Sequence, residues 1–296
     1  MSHPRPNLTS PKDLRRLLAE YNVRPSKRLG QSFLIDANVV AKILAAAEIA
    51  PADRAFEVGP GAGALTAALG DRVSEVVALE LDRRLVDLLN ATLGAKPNVR
   101  IVQGDILKTD LRVLLDARRW KLLANLPYSI VGPAIARLLE HRAMFPLMVL
   151  MVQREVAERL AAPPGTRQYG VLSILAQAHM QVESIGQVSR TCFYPQPQVD
   201  SSLVRLTARP TSVVEEGLES AFVSVVRAVF RQRRKTMLNA LSVAAELGLT
   251  REDAERRLNE AGISPGLRPG ALSPAQFAAL ARAVAEAKPG TDRGEL

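Results

Sequence analysis

The segment Asn125-Leu126-Pro127-Tyr128 contains the residue types that would hold the exocyclic amine of adenine for attack on an electrophile. This amine is a poor nucleophile, because its lone pair is delocalised into the ring. The side-chain oxygen of Asn125 and a backbone carbonyl at Leu126 or Pro127 could accept its two N–H groups and orient the lone pair. Pro127 fixes the turn, and Tyr128 offers a face on which a base can stack. A turn of this composition can also simply end a strand.

A glycine loop and two acidic residues lie at the ends of predicted strands and favour a bound nucleoside. The loop Gly59–Gly63 joins a strand to a helix, where glycines let the backbone approach a ligand closely. Glu80 ends the next strand and could accept hydrogen bonds from both ribose hydroxyls. Asp105 ends a third strand and could accept from an adenine amine, although it could equally cap a helix. The set also fits NAD, and a glycine loop can be a tight turn without a ligand.

An aromatic pair, Phe193 and Tyr194, lies in a loop that Pro195 and Pro197 keep irregular. One of the pair could clamp the second face of a bound base, and Phe193 is the candidate. The alternative is an aromatic that only fills the core. We interpret the neighbouring Cys192 as a small buried hydrophobic residue rather than a nucleophile.

Short apolar segments alternate with helical patterns in the first two thirds of the chain, which predicts a parallel sheet covered on both faces. The predicted strands are 55–58, 76–79, 99–102, 121–124 and 147–152, with a hairpin or antiparallel pair at 182–189 and 202–207. Predicted helices include one from Leu65, one over 83–93 and one that begins at Pro133. Because ligands of such sheets collect at the carboxyl ends of the strands, the polar residues above are expected to meet there.

After Pro210 the pattern changes to helices alone, and we place a domain boundary there. The helical patterns cover 215–231, 235–247, 251–261 and 274–287. The expected organisation is therefore a basic N-terminal arm over 1–30, an α/β domain over 31–210 and a helical domain over 211–296.

The chain has 296 residues and a formal net charge of +9, which favours a polyanionic partner such as nucleic acid. A basic but inert surface is the alternative. The positive charge is densest at Arg231, Arg233, Arg234 and Lys235, which have no acid between them. We interpret these four residues as contacts to RNA phosphates; a solvated helix end is the competing interpretation.

Several classes of protein are excluded or disfavoured by composition. The single cysteine, Cys192, excludes an intramolecular disulfide framework and a cysteine-based metal site, and three scattered histidines give no metal-ligand spacing. The longest strongly apolar run, 144–152, falls far short of the roughly 20 residues that a membrane helix needs. The start of the chain lacks the apolar core of a signal peptide. We therefore expect a soluble cytoplasmic protein with no metal and no membrane partner.

Together these motifs resemble the ribosomal RNA small-subunit adenine N6,N6-dimethyltransferases, the KsgA/RsmA family, over nearly the whole chain. The segments that carry the resemblance are KRLGQSFL (27–34), EVGPGAG (57–63), LELD (79–82), GD (104–105), NLPY (125–128), FYPQPQVDS (193–201), FRQRRKT (230–236), RP (268–269) and LS (272–273).

The resemblance implies an α/β fold: a Rossmann-like S-adenosylmethionine-dependent methyltransferase domain with a small all-helical C-terminal domain. It also implies a set of residues that bind S-adenosylmethionine, namely Ser32, Leu34, Gly59, Glu80, Asp105 and Asn125. Many relatives carry Asn or His at the position of Ser32. A backbone contact would survive that change, whereas a side-chain contact would be weaker.

The substrate implied by the resemblance is a pair of neighbouring adenosines in a hairpin loop near the 3′ end of small-subunit (16S) ribosomal RNA. Each receives two methyl groups during ribosome biogenesis. The expected partners are this RNA and the immature small subunit, with the protein itself a monomer.

Two alternatives to this function stay open. One is a methyltransferase that acts on large-subunit ribosomal RNA through a similar site, although the basic segment 231–235 and the ending 268–273 favour the small subunit. The other is a noncatalytic RNA-binding or ribosome-assembly factor, against which the intact segment Asn125–Tyr128 argues.

Overall fold

A computed structural model of the protein describes residues 6–26, 30–116, 118–127 and 129–286. The strands in these ranges are β1 (Phe33–Leu34), β2 (Arg54–Val58), β3 (Glu75–Glu80), β4 (Val99–Gln103), β5 (Lys121–Asn125), β6 (Leu147–Gln153), β7 (Met180–Val188), β8 (Phe193–Tyr194) and β9 (Ser201–Ala208). The α-helices in these ranges are α1 (Pro11–Glu20), α2 (Ala37–Ala46), α3 (Ala64–Gly70), α4 (Arg83–Leu93), α5 (Leu111–Leu115), α6 (Val131–Glu140), α7 (Arg154–Ala161), α8 (Val171–His179), α9 (Glu219–Phe230), α10 (Met237–Ser242), α11 (Arg251–Glu260) and α12 (Pro274–Glu286).

Seven of the described strands form a mixed sheet in the order β4-β3-β2-β5-β6-β9-β7. The first five in this order are parallel, with Val58 of β2 opposite Leu79 of β3 and Ala124 of β5. β9 pairs with β6 in the antiparallel sense and separates β6 from β7. The predicted alternation of parallel strands and helices is confirmed. The strand order reverses between β2 and β5, and open α/β sheets bind ligands at such a point.

Helix starts follow from local capping. Asp36 caps α2 by accepting from the Asn38 amide at 2.8 Å, and Asp82 caps α4 by accepting from the Arg84 amide at 3.0 Å. The prediction that a helix begins at Pro133 is wrong by two residues, because α6 begins at Val131. Amides in the first turn of a helix have no partner within it, so proline is tolerated there beyond the first position.

Residues 6–26 belong to the α/β unit rather than forming the separate arm that we predicted. An amphipathic helix, α1, lies within this segment, and Ser10 caps it. Its buried Leu14 and Leu18 share a hydrophobic cluster with Leu85 and Leu89 of α4. This apolar face explains why the segment packs despite its basic charge.

The chain divides into two compact units, and the division differs from the boundary that we predicted near Pro210. The first unit comprises the described parts of 1–157 and 181–208, and the second comprises 158–180 and 209–286. Ile174 of α8 is buried with Phe222 and Val225 of α9, and the Tyr169 hydroxyl donates to the Leu272 carbonyl at 2.8 Å. Segment 158–180 therefore completes the helical core.

Candidate active site

A pocket lies where the carboxyl ends of β2, β3 and β5 meet, at the reversal of strand order. It brings together most of the site residues predicted from the sequence, which are Ser32, Leu34, Gly59, Glu80, Asp105, Asn125 and Phe193. Tyr128, which we also predicted, lies outside the described residues. The whole lining belongs to the first unit.

The glycine loop is shaped by close backbone approaches. Gly59 has φ +73°, and its amide donates to the Leu79 carbonyl at 3.0 Å. A Cβ at Gly59 would lie 3.2 Å from the backbone oxygen of Asn125, and one at Gly61 would lie 2.9 Å from the Phe33 ring. Glycine at these positions therefore lets the loop pass close to the end of β5 and to β1.

Glu80 fastens this loop to the end of β3. Its Oε1 accepts from the amides of Leu81 and Asp82, both at 2.9 Å, and its Oε2 accepts from the Gly61 amide at 3.2 Å. Burial raises the pKa of Glu80, and these three amide bonds oppose that rise. Oε2 has a second lone pair, so a ligand hydroxyl could still donate to it.

Glu57 is a pocket residue to which the sequence analysis gave no role. Its side chain is buried, and the Thr66 hydroxyl donates to Oε2 at 2.7 Å. Burial raises the pKa of Glu57 to about 8, and the nearby Glu80 adds to the rise, while the bond from Thr66 opposes it. An acid inside the otherwise apolar strand 55–58 was the signal in the sequence, since buried acids are rare.

Asp105 closes the turn that follows β4. Its Oδ1 accepts from the Leu107 amide at 2.9 Å, and its backbone carbonyl accepts from the Thr109 amide at 2.8 Å. The next helix, α5, is capped by Asp110 instead, so Asp105 is not a helix cap. Within the described residues, Oδ2 of Asp105 has no hydrogen-bond partner and remains available to a ligand donor.

Asn125 ends β5 with its amide already oriented. Nδ2 donates to the Ser32 carbonyl at 3.4 Å, which leaves Oδ1 as the free acceptor. The Pro127 carbonyl accepts from the Ile130 amide at 3.1 Å, whereas the Leu126 carbonyl has no hydrogen-bond partner in the described parts of the chain. Of the two carbonyls considered from the sequence, that of Leu126 is the one available to a substrate amine.

The short ladder of β1 and β8 forms another wall of the pocket. Leu34 pairs with Phe193 and Phe33 pairs with Tyr194 in the antiparallel sense. Phe193 is only 4% exposed and packs in the sheet core, so it is a fixed wall of the site rather than a mobile aromatic. The Arg15 guanidinium lies 5.3 Å from the centroid of the Tyr194 ring, a cation–π contact between α1 and this ladder.

The family model described as ribosomal RNA adenine dimethylase matches residues 22–285. The chain belongs to this family. It resembles proteins named ribosomal RNA small subunit methyltransferase A over almost its whole length. The protein of that name from Pelotomaculum thermopropionicum is 44% identical over 290 residues, covering 95% of this chain and 98% of the relative. That from Geobacillus thermodenitrificans is 44% identical over 286 residues, covering 94% of this chain and 97% of the relative.

Solved structures support the same assignment to the ribosomal RNA adenine dimethylase family. A dimethyladenosine transferase from Plasmodium falciparum has a TM-score of 0.70 and 26% identity, covering 83% of this chain and 95% of that one. The 23S rRNA methyltransferase ErmE has a TM-score of 0.66 and 26% identity, covering 86% of this chain and 99% of that one. The predicted Rossmann-like methyltransferase fold is thereby confirmed, and this family member is a methyltransferase.

The thiol of Cys192 is engaged rather than reactive in this dimethylase-family chain. It donates to Oδ2 of Asp36 at 3.4 Å. Burial and the Asp36 carboxylate raise the pKa of Cys192, which disfavours the thiolate. This geometry agrees with the prediction that Cys192 is not a nucleophile, but the residue is half-buried rather than fully buried as predicted.

The basic segment predicted to bind RNA lies in the second unit, between α9 and α10, and its members are not equivalent. Arg231 pairs with Glu246 at 2.6 Å, and Arg233 donates to the carbonyls of Thr166 and Arg167 at 3.2 and 2.6 Å. Arg234 and Lys235 have no ion-pair or side-chain hydrogen-bond partner among the described residues. The two pairs of residues therefore differ in how free they are to meet a phosphate.

The described residues of this family member contain neither a candidate metal site nor a helix that could cross a membrane. No group of three or more His, Cys, Asp or Glu side chains there is placed to hold a metal ion. Among the described residues, no helix is both long and apolar enough to cross a membrane.

Proposed function

We propose that the protein transfers methyl groups from S-adenosylmethionine to N6 of two neighbouring adenosines near the 3′ end of small-subunit ribosomal RNA. The observation that carries the proposal is the end of β5, where Oδ1 of Asn125 and the Leu126 carbonyl are unengaged acceptors within the described chain. They share one pocket with the glycine loop and Glu80. The 44% identity to proteins named for the small subunit supports this choice of RNA.

The residues of the pocket fit S-adenosylmethionine. Gly59 and Gly61 present backbone rather than side chains, and Glu80 retains a carboxylate lone pair suited to a ribose hydroxyl. Oδ2 of Asp105 suits the amine of the cofactor's adenine. Ser32, Leu34 and Asn125 line the same pocket and complete the proposed binding set. When bound, the cofactor supplies a methyl group activated by a sulfonium sulfur.

In the proposed reaction, the end of β5 positions the substrate amine rather than deprotonating it. Oδ1 of Asn125 accepts one N–H and the Leu126 carbonyl accepts the other, so that the nitrogen lone pair is turned out of conjugation with the ring. Because the amine can release its proton after the methyl group has arrived, the site needs no strong base. Positioning and electrostatics then supply most of the rate enhancement.

Aromatic residues are proposed to hold the flipped base between them. Tyr128 follows Pro127 directly and would stack on one face of the adenine. Phe193 lines the same pocket and would limit the position of the other face. The buried setting of Phe193 supports a rigid stop of this kind.

Outside the pocket, we propose that the second unit binds the ribosomal RNA. Arg234 and Lys235 are proposed to contact phosphates directly, and Arg231 and Arg233 to do so while also bracing their own unit. The proposed setting is the immature small subunit in the cytoplasm, with the protein acting as a monomer.

The similarity to ErmE, a 23S rRNA methyltransferase, favours one other candidate, a large-subunit substrate. A methylation assay separates the candidates. The protein is incubated with labelled S-adenosylmethionine and with purified small or large subunits from cells that lack these methyl groups. We expect label in small-subunit RNA. Label confined to large-subunit RNA would overturn the proposal, and label in neither would favour a noncatalytic assembly factor.

A further inference from the structure

Gln31 lines the proposed cofactor pocket, directly before Ser32 in the chain. Its Oε1 accepts from the Ser26 amide at 2.9 Å, and its own amide donates to the Ser26 carbonyl at 3.1 Å. Its Nε2 donates to Oδ2 of Asp82 at 3.4 Å. The side chain thus uses its donor and its acceptor on two different segments of the chain.

The Asp82 end of this link is firmly held. The Asp82 side chain is 8% exposed and pairs with the Arg84 guanidinium at 3.0 Å. Its backbone amide donates to Oε1 of Glu80 at 2.9 Å. Although burial acts to raise it, hydrogen bonds from Arg84 and Gln31 hold the pKa of Asp82 below its ordinary value, so the group is a carboxylate. Gln31 is therefore tied to the turn that contains the proposed ribose acceptor.

The other end of the link is the carbonyl of the next residue, Ser32, which belongs to the Ser32–Phe33 peptide bond. The Ser32 carbonyl receives Nδ2 of Asn125 at 3.4 Å, and this contact decides which end of the Asn125 amide faces away as an acceptor. That carbonyl lies one residue beyond Gln31. The Ser26 and Asp82 contacts therefore anchor the chain directly before Ser32, and the pairing of Phe33 with Tyr194 anchors it directly after. A backbone carbonyl serves equally with any side chain at position 32.

We propose that Gln31 is a positioning residue, which couples the Glu80–Asp82 turn to the orientation of Asn125 through the Ser32 carbonyl. This inference rests on the proposed function, in which Glu80 holds the ribose and Asn125 holds the target amine. In this proposal Gln31 acts through these groups. An enzyme with the link broken would bind its cofactor less well and would also turn over more slowly.

Gln31→Glu tests the link with little change in shape. One carboxylate oxygen can still accept from the Ser26 amide, while the other faces the Asp82 carboxylate and repels it. Losing the bond and gaining the repulsion should lower kcat by about tenfold and raise KM for S-adenosylmethionine. KM for the ribosomal subunit should not change. Gln276→Glu is the matched control, since Gln276 also accepts a backbone amide, that of Ser273, at 2.9 Å, but lies in the second unit.

Reversing donor and acceptor distinguishes this link from a general loss of structure. In the double variant Gln31→Glu with Asp82→Asn, the new amide can donate to the new carboxylate, so part of the lost kcat should return. An unchanged kcat in Gln31→Glu, or no recovery in the double variant, would overturn the proposal. The kcat of each variant is compared with that of a wild-type enzyme that methylates small subunits. If the wild-type enzyme does not methylate them, the result contradicts the proposed function instead.

Discussion

At the scale of single residues, the proposed methyl transfer depends on Oδ1 of Asn125, the acceptor that the Ser32 contact leaves free. We predict that Asn125→Ala folds normally and loses most methyl transfer. The transition state would lose a positioning hydrogen bond, which could cost on the order of 3 kcal/mol, or more than a hundredfold in kcat. Steady-state kinetics and thermal unfolding test this, with Asn259→Ala on the exposed face of α11 as the control. Near-normal turnover in Asn125→Ala would contradict the assigned role.

The buried acid Glu57 predicts a pH dependence of stability. Burial raises its pKa from an ordinary value of 4.5 to about 8. The unfolded chain releases this proton near pH 4.5, whereas the folded protein keeps it up to about pH 8. The contribution of Glu57 to the free energy of unfolding is therefore complete at acid pH. It falls as the pH rises through this window, by at most about 1.4 kcal/mol per pH unit.

Glu57→Gln removes the titrating group and keeps an acceptor for the Thr66 hydroxyl. We predict that urea unfolding of this variant depends less on pH between about 5 and 8 than that of the wild type, because this linkage is lost. The free energy of unfolding of the variant should therefore increase relative to that of the wild type as the pH rises. The same pH dependence in both proteins would show that Glu57 already ionises near its ordinary pKa.

At the scale of elements, Gly59 of the glycine loop lies close to the backbone of two strands, β3 at Leu79 and β5 at Asn125. Gly59→Ala would place a Cβ 3.2 Å from the Asn125 carbonyl at φ +73°. We predict a loss of about 1–3 kcal/mol in the free energy of unfolding, together with weaker binding of S-adenosylmethionine. Chemical denaturation and calorimetry measure the two effects.

Gly132→Ala in α6 is the matched control for that substitution, because nothing lies within 4 Å of its added Cβ. It should leave stability unchanged or raise it by up to about 1 kcal/mol. Equal free energies of unfolding in the two variants would contradict the prediction. They would mean that a Cβ at the close approach of the loop to β5 costs no stability.

Elements whose signals are local could be predicted from the sequence. The strands from β2 to β6 are short apolar runs, and α4 was predicted at the bounds that the structure shows, since its helical period and its Asp82 cap lie within one segment. The β1–β8 ladder was not predicted, because it joins segments about 160 residues apart. Likewise, nothing in 158–180 indicates that α8 packs on α9, since the pattern gives a buried face and not its partner.

The same distinction applies to the candidate site. The meeting of Glu80, Asp105 and Asn125 at one pocket could be predicted, because each lies at or just beyond the end of a strand, and strand ends of a parallel sheet meet at one edge. The contact of Asn125 with the Ser32 carbonyl could not, because it joins residues 93 positions apart. The pairing of Arg231 with Glu246 could not be predicted either, because it joins residues 15 positions apart in different elements.

At the scale of the whole molecule, the net charge of +9 is expected to act through residues that have no internal partner. We predict that the double variant Arg234→Ala, Lys235→Ala weakens binding to small subunits and makes it less sensitive to salt. Each lost phosphate contact should reduce the slope of log K against log salt by roughly 0.7–0.9. Binding measured at two salt concentrations gives this slope, and affinity for S-adenosylmethionine should stay the same.

Arg233→Ala supplies the contrast within the same segment. Because Arg233 donates to the carbonyls of Thr166 and Arg167, its loss should lower the melting temperature more than the loss of Arg234 does. If the double variant of Arg234 and Lys235 instead lost stability and kept its RNA affinity, those residues would stabilise the second unit rather than contact phosphates.

The proposed activity of the whole molecule is the conversion of adenine N6 amines in small-subunit RNA to dimethylamines. The most direct measurement is mass spectrometry of nucleosides from small subunits of unmethylated cells after reaction with the protein and S-adenosylmethionine. We expect N6,N6-dimethyladenosine at both neighbouring adenosines near the 3′ end of the RNA, and its formation should be more than a hundredfold slower with Asn125→Ala. Methylation that stops at the monomethyl product, or that falls on another base or on large-subunit RNA, would contradict the proposed activity.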